Sequence, residues 1–256
     1  MSSRIFLANL LATFVLIGGL ASAQAEDFHV DNKLFFPEQE PIVSTTLFFA
    51  GRVYDFLDKP QETIVFDKNN DLIVILDPQR KMKTEITTGN VSTDINRLRE
   101  AARSHKRESI RMSAAPRFSE TINPETGRLI MDGKWIKYIV ATEAPQNPFA
   151  ARQYNEFADW LAQVNALLNP PMMPFARLKL NEVLKQRQEI PVEIELTLGG
   201  EGRRKPLVVR SEHNIQWALS QADKERIDQV AEQLHTFNLV SFEEYHRPPQ
   251  NAQAGK

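Results

Sequence analysis

Between Ser44 and Thr88 the apolar residues follow the pattern of consecutive short strands separated by polar turns. The stretch Thr45–Leu57 is apolar on both faces, and Gly51 inside it indicates a bend. The run Leu72–Leu76 is continuously aliphatic, which indicates burial on both faces of a sheet. We therefore predict an antiparallel meander of four strands, at Thr45–Leu57, Thr63–Asp67, Leu72–Leu76 and Met82–Thr87.

The rest of the chain mixes helical and strand periodicities. Apolar residues recur at helical spacing in Pro148–Leu168, which Asn147 can cap. A strict alternation over Ile190–Leu198 is typical of a strand with one buried face. Further helices are predicted at 92–109, Ala176–Gln188 and Gln221–Phe237, and further strands at Arg117–Ile122, Arg128–Met131, Trp135–Thr142 and Pro206–Leu219.

These elements predict an α+β fold in which a single curved antiparallel sheet, a half-barrel-like meander, is covered by helices on one face. The domain is expected to span residues 44–240. Residues 26–43 are polar and contain Pro37 and Pro41, which predicts an irregular lead-in. Residues 241–256 are expected to form a loose C-terminal tail.

The N-terminal 25 residues have the pattern of a signal peptide. Arg4 precedes the apolar run Ile5–Leu20, and small residues at Ala21–Ala25 fit a cleavage site. The alternative is an uncleaved anchor, but the run is shorter than the roughly 20 residues of a membrane-spanning helix. The sequence thus predicts export to a periplasmic or extracellular location, with no stable membrane span after cleavage.

Composition removes several classes of chemistry. The chain has no Cys, which rules out disulfides and thiolate catalysis, and a formal net charge of −2 argues against bulk nucleic-acid binding. Its 5 His residues show no metal-ligand spacing, so neither a metal nor a cofactor is predicted. Ser211 and His213 share a strand face, but the sequence identifies no third group for a catalytic triad. His213 is therefore a catalytic base, a group that polarises a ligand, or a hydrogen-bonded core residue.

Two sets of residues are candidates for binding. The first set is apolar and lies in a Pro-bounded loop and on the long helix. These residues either line or cover an apolar cavity, or they belong to the ordinary core: Met172, Met173, Phe175, Phe157 and Trp160. The second set consists of cationic side chains on the helix at 92–109. They either bind an acidic partner or form an ordinary solvent-exposed face: Arg97, Arg99, Arg103 and Arg107. The oligomeric state is not indicated.

Parts of the sequence resemble the half-barrel of periplasmic lipoprotein carriers and related exported proteins. The resemblance lies in Thr63–Asp67, Leu72–Pro78 with Arg80–Lys83, and Ile190–Val192, and spans Ser44–Leu219. It implies a curved antiparallel sheet around an apolar hollow that helices close and that binds acyl chains. The chain differs from that family in its basic helix, its greater length and its last helix, and no functional residue is transferred.

Three functions follow as hypotheses. The first is a non-enzymatic exported binder of an apolar ligand, a lipid or a lipidated protein, which predicts an apolar hollow under the long helix. The second is an envelope interaction protein with a packed core that binds an acidic partner through the basic helix. The third is an enzyme with a dispersed site near His213, which requires that residue to lie in an open cleft near a carboxylate.

Overall fold

The computed structural model describes residues 27–168, 173–199 and 205–247. The predicted signal peptide, residue Met172 and the end of the predicted tail lie outside these ranges. The helices are α1 (Thr88–Arg103), α2 (Glu108–Ser113), α3 (Pro148–Leu168), α4 (Phe175–Arg187), α5 (Gln221–Thr236) and α6 (Phe242–Tyr245). The strands are β1 (Phe28–Phe35), β2 (Ile42–Phe49), β3 (Arg52–Leu57), β4 (Glu62–Asp67), β5 (Leu72–Asp77), β6 (Met82–Thr87), β7 (Ser119–Ile122), β8 (Leu129–Asp132), β9 (Ile136–Glu143), β10 (Ile190–Leu198), β11 (Leu207–Gln216) and β12 (Asn238–Leu239).

The described strands form one open sheet of 12 strands in the order β12-β6-β5-β4-β3-β2-β1-β11-β10-β9-β8-β7. Neighbouring strands are antiparallel except for the short β12, which pairs parallel to β6. The predicted α+β class and the large antiparallel sheet are confirmed. The observed bounds of α3 and β10 coincide with the predicted Pro148–Leu168 and Ile190–Leu198.

The predicted irregular lead-in is wrong for Phe28–Phe35, which forms β1 in the middle of the sheet. Strand β1 pairs with β2 on one side and with β11 on the other. Phe28 and Val30 point into the core and are 0% exposed. Pro37 and Pro41 lie in the β1–β2 connection, where they interrupt no ladder.

The predicted strand Thr45–Leu57 is instead the hairpin of β2 and β3. Its turn contains Ala50 and Gly51, with φ values of 48° and 79°. Two successive residues with positive φ suit the tight turn of a hairpin, and glycine adopts this conformation without steric cost. Gly51 therefore marks a chain reversal and not a bend inside one strand.

The basic helix begins earlier than predicted and is interrupted. The Thr87 side chain accepts a hydrogen bond from the Asn90 amide and so caps α1 at Thr88. Helix α1 ends at Arg103, and α2 is a separate short helix after Arg107. No helix in the described residues has the length and apolar character needed to cross a membrane.

Three apolar clusters fill the space around the sheet. The first lies between the sheet and α1 and α3, and the second lies between β8–β10 and α4 on the same face. The third joins Leu47, Tyr54 and Phe56 to α5 on the opposite face, since their side chains alternate with Phe48 and Val53 of the first cluster. The structure thus adds a helix on the face that the sequence left uncovered.

The chain after α5 is ordered as far as the structure describes it. Helix α6 packs against the first cluster, and Tyr245 is 3% exposed. The Tyr245 hydroxyl donates a hydrogen bond to Glu62 Oε2 over 3.1 Å. The predicted loose tail is therefore wrong for residues 241–247.

Candidate functional site

A row of polar side chains crosses the α3-covered face of the sheet, and we call it the polar row: Ser211, His213, Asn32, Thr46 and Asp55. Residues on one strand that are two positions apart share a face, and register brings the strands into line. His213 of β11 lies opposite Asn32 of β1, and Thr46 of β2 lies opposite Asp55 of β3. The row therefore spans the four central strands.

Hydrogen bonds run along the polar row in a defined direction. The Asn32 amide nitrogen donates to Thr46 Oγ1 over 2.9 Å, and the Thr46 hydroxyl donates to Asp55 Oδ1 over 2.7 Å. Asn32 Oδ1 is then left to accept from His213 Nδ1 over 2.7 Å. His213 Nε2 accepts from the Ser211 hydroxyl over 3.1 Å. This network assigns the imidazole a single tautomer, with its proton on Nδ1.

Burial shifts the two titratable groups of the row in opposite directions. Burial raises the pKa of the Asp55 carboxyl to about 6, and this effect outweighs the hydrogen bonds from Thr46 and Ser44, which lower the pKa. Burial lowers the pKa of His213 to about 3, and the nearby positive charge of Arg177 adds to this shift. The imidazole is consequently neutral at physiological pH.

Arg177, on the first turns of α4, lies over this row. Its Nε donates to Asn181 Oδ1 over 2.9 Å, and its guanidinium also hydrogen-bonds the Tyr154 hydroxyl. Asn181 in turn donates to Asp159 Oδ1 over 2.8 Å. No carboxylate in the described residues forms an ion pair with Arg177 within 4.0 Å.

Ser211, His213 and Asn32 have the order of a nucleophile, a base and the group that orients the base. The sequence did not identify this third group because Asn32 falls in the segment expected to be irregular. A general base works best when its pKa is near the operating pH, and burial holds the pKa of His213 far below it. No carboxylate contacts the imidazole in the described residues, so the geometry favours the hydrogen-bonded core interpretation of His213.

The predicted ligand-binding residues lie in or beside the first apolar cluster. Phe157 and Phe175 are buried, while Trp160 and Met173 are partly buried. Phe157 meets Phe48 edge to face, with ring centroids 5.9 Å apart. Met172 lies outside the described residues. Nothing in these positions tests a binding role, which stays a prediction.

The space beneath α3, where the sequence predicts an apolar hollow, is filled by aromatic rings. Phe28 stacks on Phe48 with centroids 4.0 Å apart, and Phe48 contacts Tyr154 at 6.3 Å. A groove of about 190 Å³ lies between the first turns of α3 and the ends of β3 and β4, lined by Gly51, Val53, Phe66, Lys68, Phe149, Arg152, Gln153 and Glu156. Its lining includes charged side chains, so it is not the predicted hollow.

The four arginines of the basic segment have different surroundings. Arg97 pairs with Asp94 at 3.1 Å, and Arg103 pairs with Glu100 at 2.7 Å, both within α1. The Arg99 guanidinium lies 4.5 Å from the Phe175 ring centroid, so it packs α1 against α4. Arg107 is exposed at the start of α2. Among the described residues, no group of three or more His, Asp or Glu side chains is placed to hold a metal ion.

Comparison with known proteins identifies no relative by sequence: no protein-family model and no curated protein matches the chain. Among solved structures, a LolA superfamily protein from Nitrosomonas europaea is similar to it with a TM-score of 0.28 and 8% identity. The match covers 78% of this chain and 89% of that protein. At this TM-score, the two chains share too little geometry for residues to be matched between them.

Proposed function

We propose that the protein is an exported, non-enzymatic binding protein for an apolar ligand, a lipid or a lipidated protein. The observation that supports this proposal is a set of large apolar side chains on the helical layer that are only partly buried. We call this set the apolar rim: Leu98, Trp160, Leu161, Leu167, Leu168, Met173 and Leu178. The N-terminal segment 1–25, with its signal-peptide pattern, supports the export part of the proposal.

Partly buried apolar side chains leave area that a ligand can remove from water. Each Å² of apolar surface that a ligand covers contributes about 25 cal/mol to binding. Exposed apolar surface that is concentrated in one region is a common mark of a binding site. The rim residues come from α1, α3, α4 and, for Met173, the residues just before α4. They pack against one cluster, so an acyl chain is expected to lie along the helices and not beneath α3.

The first test is native mass spectrometry of the protein purified without detergent from an exporting cell, followed by uptake of the neutral apolar dye N-phenyl-1-naphthylamine. A bound species of lipid mass and a rise in dye fluorescence support the proposal. The double variant Leu167→Gln, Met173→Gln is expected to weaken dye binding about tenfold. A matched control is Leu239→Gln, which changes an apolar residue that is 59% exposed on β12, outside the rim.

An apo mass together with no dye uptake by the unmodified protein would contradict apolar-ligand binding. The second candidate is then an interaction protein that binds an acidic partner through α1 and the start of α2. The filled space beneath α3 favours this alternative, and Arg107 supplies an exposed cation. Binding to poly-glutamate should then weaken with added salt and be lost in the variant Arg97→Glu, Arg107→Glu. Salt-independent binding would contradict it.

A further inference from the structure

Arg177 and the polar groups beside it form what we call the cationic cluster: Arg177, His213, Tyr154, Ser211 and Asn32. Arg177 is ionised, whereas His213 is neutral because of its lowered pKa. Burial raises the pKa of Tyr154, which is therefore also neutral, as are Ser211 and Asn32.

Two carboxylates are linked to the cluster through amide and hydroxyl groups and not by direct contact. Asp159 is separated from Arg177 by the side chain of Asn181. Burial raises the pKa of the Asp159 carboxyl, and the hydrogen bond from Asn181 and the charges of Lys185 and Arg177 act against this rise. Asp55 is separated from His213 by Thr46 and Asn32. Neither carboxylate contacts the guanidinium.

An arginine that lies partly out of water is more stable when a carboxylate or a phosphate accepts hydrogen bonds from it. Asn181 and Tyr154 are neutral partners, so they orient the guanidinium without cancelling its charge. Arg177, His213, Ser211 and Asn32 are all partly buried, so solvent reaches this cluster.

The cationic cluster adjoins the apolar rim. Leu178 of the rim follows Arg177 in α4, and the Leu178 amide bonds to the Pro174 carbonyl at the start of that helix. Tyr154 links the two regions, because its ring lies 6.4 Å from that of His213 and it belongs to the first apolar cluster, against which the rim residues pack. An amphipathic molecule can therefore place its apolar chain on the rim and its polar end at Arg177.

We propose that Arg177 binds the anionic head group of a single-chain amphipathic ligand, of the carboxylate class, whose chain lies on the apolar rim. This inference rests on the proposed function, because the rim supplies the apolar half of the site. Arginine suits the role because its planar set of N–H donors matches the two oxygens of a carboxylate. Ser211 and Tyr154 line the same end with hydroxyl groups.

The test compares displacement of N-phenyl-1-naphthylamine by laurate and by its neutral ester methyl laurate. In the unmodified protein, laurate is expected to compete at about tenfold lower concentration than the ester. Arg177→Gln should remove this preference by weakening competition by laurate more than competition by the ester. The matched control is Arg152→Gln, because Arg152 is a cation on α3 that stacks on Phe149 outside the cluster.

The outcomes separate this inference from the proposed function. Absence of dye binding and of binding by either ligand overturns both. Equal competition by laurate and its ester overturns the head-group inference and keeps apolar-ligand binding. Arg177-dependent binding of acetate as tightly as laurate also overturns it, because the site would then recognise a free anion. The ligand pair tests the unmodified protein, so the result stands even where Arg177→Gln fails to fold.

Discussion

His213 Nδ1 lies 2.7 Å from Asn32 Oδ1, and the two residues are 181 positions apart in the chain. This hydrogen bond joins β11 to β1, which is where the two halves of the sheet meet. One half is the meander β2–β6, and the other contains β7–β11. The polar row therefore lies across the junction that holds the sheet together.

Removing the Asn32 side chain should destabilise the fold. Asn32→Ala leaves His213 Nδ1 without its acceptor and Thr46 without a donor. The expected loss in unfolding free energy is about 1–3 kcal/mol, measured by urea denaturation. Lys33→Ala is the control, because Lys33 is the exposed neighbour on the same strand. Equal losses in the two variants would show that the network adds no stability.

Asp55 should make stability fall as the pH rises. Its pKa is about 6 in the folded protein and 3.8 in a free carboxyl. The folded state thus binds this proton more tightly than the unfolded state. The stability gained from this difference is present below pH 4 and lost by about pH 6. Between pH 4 and pH 7, the unfolding free energy of Asp55→Asn should rise by up to about 3 kcal/mol relative to that of the unmodified protein. Denaturation at both pH values, with exposed Asp58→Asn as the control, measures this gain, and a pH-independent difference would contradict it.

His213 should act in the opposite direction. Its pKa is about 3 in the folded protein, against 6.5 in a free imidazole. The unfolded state binds this proton more tightly, so the stability contributed by the neutral imidazole is present above pH 6.5 and lost as the pH falls towards 3. Between pH 7 and pH 4, the unfolding free energy of His213→Gln should therefore fall by about 3 kcal/mol less than that of the unmodified protein. Exposed His105→Gln serves as the reference, and the same acid sensitivity in both variants would refute the assignment.

The C-terminal helix should contribute to stability through Tyr245. Tyr245→Phe removes the hydrogen bond to Glu62 and is expected to cost about 1 kcal/mol. Tyr245→Ala also removes a buried ring, which Arg80 covers at 4.9 Å from its centroid, and should cost about 3 kcal/mol. Thermal and urea unfolding measure both losses. An unfolding midpoint for Tyr245→Ala that matches that of exposed Glu243→Ala would mean that α6 is not packed in solution.

Local sequence patterns correctly predicted the helices and strands whose formation depends mainly on residues close together in the chain. Helix α5 begins at the predicted Gln221, where Ser220 caps it and the Asp223 side chain accepts a hydrogen bond from the Ser220 amide. The alternation in β10 and the helical spacing in α3 likewise gave the correct bounds. Gly51 was misinterpreted because a glycine in an apolar run fits a bend or a hairpin turn equally well, and only the pairing of β2 with β3 decides between them.

The candidate site needed the tertiary structure. The sequence placed Ser211 and His213 on one face through the strand period, but Asn32, Asp55 and Arg177 come from β1, β3 and α4. No local spacing relates these residues, because strand order and helix placement bring them together.

By itself, the sequence determined the α+β class, the meander and the long amphipathic helix, because hydrophobic periodicity acts over a few residues. The tertiary structure decided that β1 joins the two halves of the sheet and that aromatic rings fill the space beneath α3. It also decided that Arg177 lies over a neutral polar row, because such contacts depend on residues that are distant in sequence.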